Sequence, residues 1–182
     1  MNNLIAIIAG EPNSINSEII AKAWKRERKL KNIFIIGNYS LIKKQIAELS
    51  IKIPIIKIRK LEDFKRENKL FVLDVPLKFK SIFNFNSFEV KTYILKCFNI
   101  SHNLAIDKKI LGFINAPIDK KIFNNKYLGV TEYLAKKNQC KNKEVMMIHN
   151  KNLSVVPLTT HIEIKDITKK INFNLIKKKY FL

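Results

Sequence analysis

The stretch LIAIIAG at residues 4–10 is a continuous apolar run that ends in a glycine. A short apolar run without polar alternation is typical of a strand that is buried on both faces, as in parallel sheets. Residues 10–17, GEPNSINS, have the composition of a turn, and Ser14 or Ser17 is expected to cap a helix. That helix would carry apolar residues at helical spacing, namely Ile19, Ile20, Ala23 and Trp24.

The same order of strand, turn and helix recurs in the next segment. Residues 33–36, IFII, predict a strand, and Ser40 is expected to cap a helix that reaches residue 49. Residues 53–58 predict a third strand. Strands that alternate with helices indicate right-handed crossovers and a mostly parallel sheet. The predicted fold class is therefore α/β, with a mostly parallel sheet flanked by helices.

The remaining segments extend this pattern with less regularity. Residues 61–86 have no clear period apart from an apolar run, and helical spacing resumes at Ser87. The other expected elements are a buried strand at 110–114, a helix capped by Thr131, a hairpin of 144–149 with 153–158, and the start of a helix in 171–182. No linker or repeat divides the chain, so residues 1–182 are predicted to form a single α/β unit.

The segment VVPLTTHIEIKDI at residues 155–167 offers a candidate ligand site. A buried strand here would deliver Thr159, Thr160 and His161 to its carboxyl end, where ligands bind in open α/β sheets. A neutral imidazole at that position could coordinate a divalent metal. The alternative is a hydrogen-bonded histidine that closes a strand.

Composition limits the class of protein. A chain of 182 residues, 47% of them hydrophobic, can bury a sizeable core. No apolar run approaches the roughly 20 residues of a membrane helix, and the first residues lack the features of a signal peptide, so a cytoplasmic location is expected. Cys97 and Cys140 are far apart and are expected to pack in a reducing compartment.

The formal net charge of +20 raises the possibility of a nucleic-acid partner. The lysines are scattered among isoleucine and asparagine along the whole chain, without an aromatic and basic cluster of the kind that RNA-binding modules carry. This distribution favours a solvated basic surface over nucleic-acid binding. Such a surface would attract anionic small molecules.

Four segments together resemble one family, 4-hydroxythreonine-4-phosphate dehydrogenase. The loop APIDK at 116–120 is similar to its APxxK loop, and GVTEYLA at 129–135 to its GHTEYLA segment. LTTHIEIKDI at 158–167 is similar to its TTHIPLKDV segment, and GEP at 10–12 to the start of its GEPAGIGPE turn. The four segments occur in the same order as in the family.

The resemblance implies an α/β fold of the isocitrate and isopropylmalate dehydrogenase type and a homodimer with its active site at the subunit interface. It also implies NAD-dependent oxidation and decarboxylation of 4-phosphooxy-threonine in pyridoxal phosphate biosynthesis, assisted by a divalent metal such as Zn, Mg or Co. By this resemblance His161 is a metal ligand and Thr131 binds substrate. Lys120 would contact an anionic group of the substrate, with a plain surface lysine as the alternative.

The chain departs from the family pattern in three places. Val130 replaces a substrate-binding histidine, and NSIN at residues 13–16 replaces the glycine-bearing AGIG. The chain also ends about where the family enters its second half, so two further metal histidines and the NAD-binding segments would lie beyond it. His102 and His149 do not stand in matching contexts.

These departures lead to one expectation and two alternatives. The chain is expected to correspond to the N-terminal half of the family and to be inactive alone, because a catalytic metal usually takes about three protein ligands. The first alternative is a non-catalytic binding or dimerisation module, which pairs with a separately encoded second half. The second is a basic nucleic-acid-binding protein.

Overall fold

The computed structural model describes residues 3–27, 31–123, 126–140, 144–160 and 162–180. The chain divides into two compact units, residues 1–122 and residues 123–182, and each is described by itself. That residues 1–182 act as the single unit expected from the sequence stays a prediction.

The first unit is an α/β layer structure. Its five strands lie in the order β3-β4-β2-β1-β5, and every pair of neighbours is parallel. The predicted fold class, α/β with a mostly parallel sheet flanked by helices, is therefore confirmed. The elements are β1 (Ile5–Ile8), α1 (Asn16–Arg26), β2 (Ile33–Gly37), α2 (Tyr39–Glu48), β3 (Ile55–Ile58), β4 (Leu70–Asp74), α3 (Ser87–Ile106) and β5 (Gly112–Asn115).

Helices cover the two faces of this sheet unequally. The crossover helices α1 and α2 lie on one face, where Ile20, Ile42 and Ile46 pack with Ile35 and Val72 of the central strands. The long helix α3 lies on the opposite face, where the centre of the Phe98 ring is 6.4 Å from the centre of the Phe113 ring in β5. The apolar run that the sequence left unassigned is β4, a buried strand between β3 and β2.

The predicted serine caps are wrong. Helix α2 begins after Asn38, whose Oδ1 accepts from the Leu41 N–H at 2.9 Å, and not at Ser40. Helix α1 has no side-chain cap, because Ser17 lies inside the helix and donates from its Oγ to Gln45 Oε1 at 2.6 Å.

The second unit contains α4 (Val130–Lys137), β6 (Ile148–His149), β7 (Ser154–Val155), α5 (Ile167–Lys170) and α6 (Phe173–Tyr180). The predicted hairpin forms as an antiparallel pair, but each strand has only two residues. The prediction that a buried strand leads to Thr159 is wrong. Val155 is 45% exposed, because the hairpin joins no larger sheet among the described residues. Gly129, and not Thr131, occupies the cap position of α4.

None of the helices in the described ranges combines the length and the apolar character needed to cross a membrane. Cys97 and Cys140 are both free thiols, the first buried in α3 and the second half-buried after α4.

Candidate functional site at the carboxyl edge of the sheet

The loops that follow β1 and β5 are joined at the carboxyl edge of the parallel sheet. The Glu11 N–H donates to the Pro117 carbonyl at 3.0 Å. The side-chain amide of Asn16 donates to the same carbonyl at 2.8 Å and to the Glu11 carbonyl at 3.2 Å. Since ligands of open α/β sheets bind outside the carboxyl ends of the strands, this pair of loops is the candidate site in the first unit.

Gly10 permits the close approach of the two loops. Its φ of +75° lies in the left-handed region that glycine adopts without steric cost. A Cβ at this position would lie 2.5 Å from Asn16 Nδ2 and 2.6 Å from the Pro117 carbonyl oxygen. The turn after β1 therefore depends on glycine even though the rest of its sequence lacks the glycines of the AGIG pattern.

Two side-chain amides, those of the buried Gln45 and the exposed Asn13, tie the loop after β1 to the loop after β4. Gln45 of α2 donates from Nε2 to the carbonyls of Pro12, at 2.8 Å, and Ile82, at 2.6 Å. Asn13 exchanges two hydrogen bonds with the backbone of Phe85, at 3.1 and 3.0 Å. The first turn of the chain is thus held from two sides by side chains that the sequence did not single out.

The carboxyl groups of Glu11 and Asp119 at this edge of the sheet interact electrostatically. Partial burial raises the pKa of Glu11, and the negative charge of Asp119 raises it further, while backbone N–H groups of Asn13 and Asp119 act in the opposite direction. Asp119 Oδ1 also accepts from the Lys121 N–H at 2.9 Å, which fixes the loop after β5. Glu11 therefore holds its proton to higher pH than an ordinary glutamate.

Asn16 has one unused acceptor. Its Nδ2 group is fully committed to the two loop carbonyls, which fixes the orientation of the amide. Its Oδ1 is buried and has no hydrogen-bond partner among the described residues. A buried acceptor without a donor costs about 1–3 kcal/mol, so the site carries unmet hydrogen-bonding capacity.

The predicted substrate residues lie in separate units. Lys120 begins a short 3-10 helix, Lys120–Phe123, after β5, and its side chain is exposed next to Asp119. Thr131 is exposed in the first turn of α4, directly after the half-buried Val130. His161, the predicted metal ligand, lies outside the described residues.

An aromatic cluster fixes the start of α4 in the second unit. The Phe123 ring stacks on that of Tyr133 at 5.2 Å, and the Tyr127 ring packs edge-on against both, at 5.8 and 5.6 Å. Burial raises the pKa of Tyr133, with a smaller contribution from Tyr127. The Nζ of Lys136 lies 5.6 Å from the centre of the Tyr127 ring. These contacts hold the helix turn that presents Thr131.

The described residues do not complete a metal site. They contain no group of three or more histidine, cysteine, aspartate or glutamate side chains that could hold a metal ion. His149 is exposed, with Nδ1 2.7 Å from Ser154 Oγ in the hairpin, and His102 is half-buried in α3. A catalytic metal with about three protein ligands therefore needs donors beyond those in this part of the chain.

Comparison with known families gives one consistent result. The sequence profile described as "Pyridoxal phosphate biosynthetic protein PdxA" matches residues 29–182. The chain is 30% identical over 189 residues to a 4-hydroxythreonine-4-phosphate dehydrogenase of Wigglesworthia glossinidia brevipalpis. It is 31% identical over 186 residues to the protein of the same name in Aquifex aeolicus.

Solved structures of proteins with that name share the fold. The match to the Burkholderia phymatum protein has a TM-score of 0.85 at 22% identity, and covers 98% of this chain and 56% of that one. The Klebsiella pneumoniae protein matches with a TM-score of 0.82 at 22% identity, over 97% of this chain and 56% of that one. The chain spans about half the length of its curated relatives, 54% of the first and 56% of the second.

Proposed function

Because the chain belongs to the PdxA family of pyridoxal phosphate biosynthetic proteins, we propose that it takes part in the NAD-dependent, metal-assisted oxidation of 4-phosphooxy-threonine. The observation that carries this proposal is the family match over residues 29–182. The curated relatives bear the name 4-hydroxythreonine-4-phosphate dehydrogenase, which describes an oxidoreductase that acts on a phosphorylated small molecule. A cytoplasmic location is part of the proposal.

We assign substrate binding to Thr131 and Lys120. The Thr131 hydroxyl is exposed at the amino end of α4, where unpaired backbone N–H groups favour an anionic oxygen. The Lys120 ammonium is exposed in the loop after β5, at the carboxyl edge of the sheet. The excess of positive charge over the whole chain would raise the local concentration of a phosphorylated substrate.

We infer that catalysis requires a further segment of the family fold, the part of the relatives that residues 1–182 do not span. His161 would supply one metal ligand, and the segment would supply the others together with the NAD-binding groups. Residues 1–182 without that segment would then be inactive. A homodimer of the completed fold, with its active site at the subunit interface, remains part of this proposal.

The test is reconstitution. The chain is mixed with the part of the Aquifex aeolicus relative that it does not match, and NADH formation from 4-phosphooxy-threonine is recorded with Mg²⁺, Zn²⁺ or Co²⁺. We expect NADH only when both polypeptides and a metal are present. Absence of NADH from every mixture, despite formation of a stable complex, would contradict the proposed function.

Matched variants separate substrate binding from folding. In the reconstituted enzyme, Lys120→Ala and Thr131→Val are each expected to raise KM by about tenfold or more, because each removes a hydrogen bond to an ionised group. Lys121→Ala and Thr168→Val alter an exposed residue of the same type and should leave KM nearly unchanged. An equal rise of KM in Lys120→Ala and Lys121→Ala would contradict the assignment of substrate binding to Lys120.

A further inference from the structure

Strand β3 leaves one edge of the sheet in the first unit open. It is an outermost strand, and among the described residues it pairs only with β4. The Leu70 N–H of β4 donates to the Pro54 carbonyl at 2.8 Å, and Ile55 is the register partner of Leu70. In a parallel ladder with this register, the main-chain N–H and C=O groups of Ile55 and Lys57 point away from β4. These groups are therefore free to pair with a further strand.

The residues that usually protect an exposed edge strand do not protect this one. Lysine side chains and prolines commonly block such edges. The Lys57 ammonium lies 2.7 Å from Asp74 Oδ2, so the side chain is directed towards the neighbouring strand β4. The Pro54 carbonyl faces β4 as well, and the N–H that proline lacks would point to the same side. The outer side of β3 thus keeps its hydrogen-bonding capacity.

An open apolar groove of about 450 Å³ lies between this edge and α2, and we refer to it as the α2–β3 groove. Its lysines, Lys43 and Lys52, are exposed, and neither ammonium belongs to an ion pair of the described residues. None of its lining residues is acidic. The apolar lining consists of Ile46, Ala47, Ile51, Ile53, Pro54 and Ile55. The groove therefore combines an apolar floor with unneutralised positive charge.

We propose that the outer edge of β3 and the α2–β3 groove together bind an extended, acidic peptide segment of a partner protein. The main chain of the segment would pair with Ile55 and Lys57, and every second side chain would then point into the groove. Aliphatic side chains would cover the apolar floor, and carboxylates would approach Lys43 and Lys52. Because β3 and β5 are the two outer strands of the sheet, this site is separate from the loop after β5 and does not depend on the proposed function.

Charge favours an acidic partner over a second copy of this chain. Two chains that paired through their β3 strands would bring two sets of unneutralised lysines together, and each chain has a formal net charge of +20. Like charges at an interface oppose association, whereas a carboxylate beside each lysine favours it. The occupant is therefore a strand that alternates groove-facing acidic and aliphatic residues with outward-facing polar ones.

Synthetic peptides test the proposal on the full chain. The first peptide is acetylated and amidated DTVTVTD with a fluorescein label, and its fluorescence anisotropy is titrated with protein. We expect saturable binding, and much weaker binding of the scrambled peptide TVVDDTT, which has the same charge. Two further peptides carry N-methyl groups, one on both valine amides and the other on two threonine amides. Only one of these should lose binding, because alternate amides of a paired strand face its neighbour.

Hydrogen exchange of the protein amides locates the contact. The amide hydrogens of Ile55 and Lys57 should exchange rapidly in the free chain and at least about tenfold more slowly at saturation with DTVTVTD. Those of Ile56 and Ile58 point towards β4 and should exchange slowly in both states. The second pair is a matched internal control, since it lies in the same strand.

Charge reversal tests the role of the groove lysines. The double variant Lys43→Glu with Lys52→Glu should raise the Kd for DTVTVTD by about tenfold or more, because it replaces attraction by repulsion at both positions. The double variant Lys25→Glu with Lys109→Glu changes two exposed lysines elsewhere in the first unit and gives the same net charge. It should raise Kd by no more than about threefold. Far-UV circular dichroism and Tm check that both double variants stay folded.

Four results would overturn the inference. The first is absence of saturable binding up to about 1 mM peptide. The second is equal weakening by the two double variants, which would mean attraction to the overall charge alone. The third is binding without slower exchange at Ile55 and Lys57. The fourth is that the free chain self-associates and thereby slows exchange at these two amides, which would make the edge a contact between copies.

Discussion

The side-chain amide of Asn16 lies 2.8 Å from the carbonyl oxygen of Pro117, although 101 residues separate the two in the chain. The bond joins the amino end of α1 to the loop after β5, across the carboxyl edge of the sheet. Both loops carry segments that resemble one enzyme family, GEP at 10–12 and APIDK at 116–120. The resemblance in sequence thus coincides with a physical connection between the two segments.

Gly10→Ala is expected to lower the free energy of unfolding by about 2–4 kcal/mol, because it combines a left-handed backbone with a clash against a carbonyl oxygen 2.6 Å from the new Cβ. Urea denaturation measures the change. Gly112→Ala is the control, since a Cβ there meets nothing within 4 Å, and its effect should stay within about 0.5 kcal/mol. Equal destabilisation by both variants would show that the turn does not depend on Gly10.

Gln45→Leu is expected to destabilise the first unit by about 2–4 kcal/mol, because it leaves the buried carbonyl of Pro12 and the partly buried carbonyl of Ile82 without their donor. Glu48→Leu, at an exposed position of the same helix, should have an effect within about 0.5 kcal/mol. The measurement is again urea denaturation, with hydrogen exchange of the loop amides as a local readout. A neutral Gln45→Leu would mean that water replaces the side-chain bonds without cost.

The local sequence pattern was sufficient to predict most strands and helices of the first unit, because apolar runs and turn residues indicate these elements directly. The pattern did not predict the place of β4 in the sheet, since the position of that strand between β3 and β2 is set by a crossover and not by its own residues. The sequence analysis also predicted Ser40, and not Asn38, as the cap of α2. Asn38 is favoured by a distant partner, because its buried amide donates to the Val75 carbonyl at 3.0 Å.

The candidate site was only partly predictable, because some of its residues are positioned by partners that are distant in the sequence. Gly10 and Lys120 belong to recognisable segments. The roles of Asn16 and Gln45 were not predicted, because they come from hydrogen bonds to carbonyls that are distant in the sequence and close in the fold. The position of His161, which lies outside the described residues, stays a prediction from the resemblance.

Glu11→Gln is expected to stabilise the protein at neutral pH. The folded-state pKa of Glu11 is raised above the ordinary value of 4.5, so ionisation opposes folding once the pH exceeds 4.5, and the full penalty is reached above the folded-state pKa. The stability difference between variant and parent should therefore shrink as the pH falls towards 4.5. Thermal melts across this range measure it.

Glu67→Gln is the control of opposite sign. Its hydrogen bond and ion pair with Lys69 lower the pKa of Glu67, so the parent should be the more stable protein at neutral pH, by a small amount at this exposed position. If Glu11→Gln and Glu67→Gln shifted stability in the same direction, the burial of Glu11 would not be the cause.

Cys97 is expected to resist thiol reagents in the folded protein. Its side chain is fully buried, and burial raises its pKa to about 12. A reagent therefore cannot reach the sulfur, and almost none of the thiol is in the reactive thiolate form. Cys140 is half-buried and should supply the fast phase of reaction with a disulfide reagent at mildly alkaline pH, with Cys97 slower by at least about a hundredfold. Cys140→Ser should abolish the fast phase, Cys97→Ser should leave it intact, and unfolding in urea should expose both thiols of the parent. A fast phase that persists in Cys140→Ser would mean that α3 opens far more readily than its packing against the sheet implies.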